Sequence, residues 1–153
     1  MGGATIQCGN FEGSDKSGSP IISVLDESFS MAFGRKPRGR LVQRIAKFLG
    51  KSPTGPEALA EQAILKVKYD EEAEIRPEVA GQLLPFLKTY QASLLQQLGI
   101  ENSVEEIWKH VAPSIRAKYG SARDPGWHLY CLHDLVPACE KSASEHLPVQ
   151  VIW

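Results

Sequence analysis

Residues 127–153 hold the densest apolar and aromatic content of the chain, and two prolines divide them. Pro137 restricts the local fold most. In a helix interior a proline costs about 3 kcal/mol. Within the first turn its missing N–H costs nothing, because that group has no intrahelical partner. Asp134 is placed to cap a helix that begins near Leu135, through its carboxylate. The stretch therefore reads as a strand over 127–132, a helix, and a last strand over 149–153 after Pro148.

In the first strand Trp127, Leu129 and Cys131 would share one face, and His128, Tyr130 and Leu132 the other, because side chains alternate. Both faces are apolar, which predicts a central strand. Leu135, Ala138, Cys139, Ser142 and His146 follow at helical spacing as an inward stripe. Two strands of one sheet joined by a helix would cross over right-handed.

Upstream, residues 5–8 fit a short strand, and the Gly- and Ser-rich segment 9–20 reads as a flexible loop. Residues 21–25 fit a buried strand, with 26–33 either helical or a second strand, since short apolar runs are not settled by periodicity. Residues 37–50 form a clearer helix. Leu41, Val42, Ile45, Phe48 and Leu49 make one apolar face, and Arg38, Arg40, Gln43, Arg44 and Lys47 fill the other. Pro56 suits the first position of a helix that ends near Tyr69. Pro85 divides 77–98 into two helices, and Gly99 closes the second. Ser103 and Glu106 make a capping box. Pro113 kinks that helix or starts another ending near Gly120.

The chain is therefore expected to be a single α+β domain, with amphipathic helices packed on a small sheet and a C-terminal strand-helix-strand unit. Its 153 residues are enough for one core. The formal net charge of −1 predicts no overall attraction to nucleic acid or an anionic membrane. Three cysteines, Cys8, Cys131 and Cys139, argue against a disulfide framework and for a reducing, cytoplasmic setting. No apolar run reaches the length of a membrane span, and no signal peptide is evident.

Cys131, His133, Asp134, Cys139 and His146 lie close in sequence, but not at the paired spacing of a zinc site, so no metal or other cofactor is expected. A thiol nucleophile at Cys131 with His133 as base would need an exposed, electropositive setting. Its neighbours Trp127, Leu129 and Leu132 look like core. No glycine-rich oxyanion loop, nucleophile elbow or phosphate-cradling motif accompanies it. The basic run is compatible with phosphate contacts, although it lacks interleaved aromatics for stacking on single strands.

The tail Trp127-x-Leu129-Tyr130-Cys131-Leu132-His133-Asp134-Leu135, then Ala138-Cys139-Glu140-x-Ser142 and Pro148-Val149, resembles small bacterial proteins akin to the immunity proteins of toxin–immunity pairs. The resemblance spans residues 127–153 and brings no functional residue with it. It implies a cytoplasmic, non-catalytic protein that neutralises one toxin by binding it. On that expectation Asp70, Glu71, Glu72, Glu74 and Glu78 are the candidate surface for a cationic partner. Two alternatives stand beside it. One is a nucleic-acid-binding regulator using Arg38, Arg40, Arg44 and Lys47, and the other a thiol-dependent enzyme using Cys131.

Overall fold

The computed structural model describes residues 3–14, 16–50, 55–111 and 124–153. In chain order they form β1 (Gly3–Cys8), β2 (Phe11–Glu12), β3 (Lys16–Ser17), α1 (Gly18–Phe33), α2 (Arg40–Phe48), α3 (Pro56–Tyr69), β4 (Glu72–Ile75), α4 (Pro77–Leu98), α5 (Val104–Lys109), α6 (Pro125–Glu145) and β5 (Val149–Ile152). The fold is α+β, an antiparallel sheet covered on one face by helices.

Strand order is β2-β1-β5-β4, so the first and last strands of the chain are neighbours at the centre of the sheet. Thr5 stands opposite Ile152, and Ile6 opposite Val151. Alternation sets the two faces. Ala4, Ile6, Cys8, Ala73, Ile75, Val149 and Val151 are all buried toward the helices. The expected strands at 5–8 and 149–153 are thus present, the second ending at Ile152.

The segment 9–20, expected as a loop, instead carries β2, β3 and the start of α1. Gly9 takes φ +57° at the first position of the two-residue turn between β1 and β2, the conformation that a glycine supplies in tight hairpins. Residues 21–25 are the buried core of α1, not a strand. Ile21, Val24, Leu25 and Phe29 recur at helical spacing and are each at most 2% exposed.

The largest departure is at 127–132. These residues belong to α6, which begins at Pro125, ten residues before the expected start at Leu135, with Asp124 as its cap. The Asp124 carboxylate accepts a hydrogen bond from the Gly126 N–H at 2.8 Å, and Pro125 takes the first helical position. Pro137 therefore lies in the helix interior, where it deprives the His133 carbonyl of its donor. Burial decides the outcome. Leu129, Leu132 and Leu135 are fully buried, and each such side chain stabilises by about 1.5–3 kcal/mol, together more than the ~3 kcal/mol proline penalty. His146, expected on the inward stripe, is instead the exposed C-cap of α6. The C-terminal unit is thus helix and strand without a preceding strand.

Pro85 likewise sits inside a single α4 rather than between two helices. It is exposed, while Leu83 and Leu87 on either side of it are buried. Gly99 closes α4 at φ +63° as expected, and Ser103 caps α5 by accepting from the Glu106 N–H, one half of the expected capping box, while the Ser103 N–H donates to the Glu101 carbonyl and the Glu106 carboxylate pairs with Lys109. The helix that Pro113 would kink or restart lies outside the described residues. α4 and α6 share the most extensive helix contact, with α1 packed across both and α3 beside α1 and β4.

Candidate functional site

β4 alternates as Glu72, Ala73, Glu74, Ile75, with the alanine and isoleucine buried and the two glutamates exposed. Pairing with β5 fixes where those glutamates stand. Glu72 is opposite Ile152 and Glu74 opposite Gln150. Gln150 is opposite Gln7 on β1, and Gln7 is opposite Glu12 on β2. One row of the open sheet face therefore reads Glu12, Gln7, Gln150, Glu74, with carboxylates at the two ends and amides between. A second row holds Thr5, Ile152 and Glu72. Among the described residues of these rows none is basic.

The acidic cluster does not arrive as one unit. Glu72 and Glu74 lie on the open face. Asp70 is the exposed C-cap of α3, and Glu71 follows it in the turn, its carbonyl accepting from the Trp153 N–H at 3.0 Å. Glu78 belongs to the first turn of α4, where unpaired N–H groups stabilise a carboxylate. Among the described residues none of these five carboxylates has an ion-pair partner. Glu12, Gln7 and Gln150 were invisible as part of this surface, because only strand register brings them beside Glu74.

Charge on an edge strand also has a plainer use, since it keeps the free edge from pairing with another chain. β4 and β2 are the two ends of the sheet path. Lysine would guard an edge equally well, so reversing the charge separates the two roles.

The basic run is partly engaged within the chain. Glu61 on α3 is 1% exposed and gathers two arginines from the segment between α1 and α2. Arg35 donates to both its oxygens at 3.1 Å, and Arg38 donates from Nη2 at 3.0 Å and also from its backbone N–H. Burial alone raises the Glu61 pKa, but these donors outweigh it and hold the carboxyl at about 2. Arg38 is therefore engaged within the chain. Arg40 lies 5.5 Å from the Tyr69 ring centroid. Arg38, Arg40, Arg44 and Lys47 all line an open cavity of about 620 Å³ between α2 and α3. The apolar face of α2 does not meet the core, and none of its residues is buried.

Cys131 is buried within α6, as are Cys8 and Cys139 in the core. Because 127–132 is helical, Cys131 and His133 are two residues apart on a helix and face different directions. The strand-face pairing of thiol and imidazole is thereby removed. Among the described residues no three His, Cys, Asp or Glu side chains gather where they could hold a metal ion.

One polar pair was missed by the sequence. Tyr90 on α4 and His128 on α6 share a hydrogen bond of 2.7 Å between Oη and Nδ1. Burial, then the nearby Glu27 charge, raises the Tyr90 phenol to about 12, so it stays protonated at neutral pH. The two groups satisfy each other across the α4–α6 interface, which is the requirement for polar atoms in such a place.

The chain matches no family model, and comparison with curated proteins and with solved structures returns no match.

Proposed function

We propose that this protein is a non-catalytic binding module that occludes a basic partner protein, as an immunity protein does its toxin. One observation carries the reading. Glu72 and Glu74 of β4 and Glu12 of β2 occupy one open sheet face across the register that joins them. None of the three has an ion-pair partner among the described residues. Such a surface steers a cationic partner and repels nucleic acid. Asp70 and Glu71 extend the same charge along the α3–β4 turn.

The experiment is affinity capture of the full chain from its native host, with Glu72→Lys/Glu74→Lys alongside. The reading expects one stoichiometric basic protein that is toxic when produced alone and escapes the double variant. Recovery of nucleic acid, or capture that survives the charge reversal, contradicts it.

A further inference from the structure

Residues 34–51 contain seven cations and no carboxylate, a local excess that the overall charge of −1 conceals. α2 lies within this segment. Turning about 100° per residue, it presents Leu41, Ile45 and Phe48 to one side, with Leu49 and Val42 along one flank and Arg40, Arg44 and Lys47 along the other. Gln43 and Ala46 turn toward α3 and are half-buried. The apolar side faces water. Phe48 is 90% exposed, Leu41 71% and Leu49 65%. The start of the helix is fixed, because Glu61 holds Arg35 and Arg38 on the segment that leads into it.

We propose that α2 is an interfacial anchor that seats Leu41, Ile45, Phe48 and Leu49 in an anionic lipid surface, with Arg40, Arg44 and Lys47 on headgroup phosphates. The charge pattern selects this occupant. A second copy of α2 would set these cations against themselves, with no carboxylate in 34–51 to neutralise them. The acidic sheet face of another copy would suit the cations but would leave Phe48 and Leu41 against glutamate and glutamine. An anionic bilayer offers phosphates and acyl chains together, and a short basic amphipathic helix binds there by both. No described helix is long and apolar enough to cross a membrane, so the attachment is peripheral. This inference stands independently of the acidic face.

The test is flotation of the full chain with vesicles of phosphatidylcholine alone and of two parts phosphatidylcholine to one part phosphatidylglycerol. Binding is expected only to the anionic vesicles, with loss at about 0.5 M salt. Leu41→Ser/Phe48→Ser should weaken it at least about tenfold, and Arg40→Glu/Arg44→Glu should do the same. All these positions are exposed, so thermal melting checks that each variant is folded. Absence of binding to anionic vesicles, equal binding to neutral ones, or retention in either variant overturns the proposal. So does a vesicle-free dimer, seen by sedimentation, that Leu41→Ser/Phe48→Ser dissociates.

Discussion

Glu74 stands opposite Gln150 across the β4–β5 ladder, and this register converts an acidic run into a surface. A slip of one residue would send Glu72 and Glu74 into the core and expose Ala73 and Ile75. Two substitutions test it. Gln150→Lys, on the open face, should change stability by no more than about 0.5 kcal/mol. Ala73→Lys, at a position 2% exposed, should cost more than about 3 kcal/mol. Urea denaturation measures both, and equal costs would contradict the register.

Glu61 should be a stability determinant with a defined pH signature. Its folded pKa of about 2 lies below the ordinary 4.5, so the folded state favours the ionised form. The stabilisation is complete above about pH 4.5 and is lost as pH falls toward 2. Glu61→Gln should cost about 2 kcal/mol at neutral pH, less than a fully buried pair because both guanidinium groups reach water. It should also flatten the acid limb of the stability curve. An unchanged acid limb would remove Glu61 from this role.

Pro85→Ala distinguishes one helix from two. Inside a continuous α4, removing the proline should raise stability by about 1–3 kcal/mol. If a helix began at residue 85, the proline would favour its first turn and the substitution would be neutral or destabilising. Chemical denaturation of the two proteins decides between them.

Legibility followed burial. β1 and β5 each bury one face, so Ile6, Cys8, Val149 and Val151 alternate and could be read directly. α6 is buried over most of its circumference, Trp127 to Leu129 being consecutive buried residues, and a helix enclosed in this way has no polar stripe to reveal its period. Pro137 then favoured the wrong start, because the sequence does not show how much burial offsets the penalty. The amphipathic pattern of 40–48 was plain, but its direction was not, since periodicity cannot say which side meets α3. The glutamates of β4 were visible as a cluster. Their alignment with Gln150, Gln7 and Glu12 required strand order, which is non-local information.

All three thiols should resist modification in the folded protein. Cys8 and Cys139 are each 1% exposed and Cys131 is fully buried. Burial, then the neighbouring Cys8 and Glu140, raises the Cys139 thiol to about 12, and burial raises Cys8 as well. Only thiolates react readily. A thiol reagent followed by absorbance should therefore show no release until denaturant is added. A fast single-site reaction mapped to Cys131 would revive the thiol-enzyme alternative.

The most direct test of the central claim is the affinity of the purified partner complex for wild type and for Glu72→Lys/Glu74→Lys, measured by titration calorimetry at low and high salt. The acidic face predicts at least about tenfold weaker binding for the variant, with unchanged melting, and a wild-type affinity that falls as salt screens the contact. Equal affinities for a folded variant and wild type would contradict it, and would leave the β4 carboxylates as guards of the sheet edge.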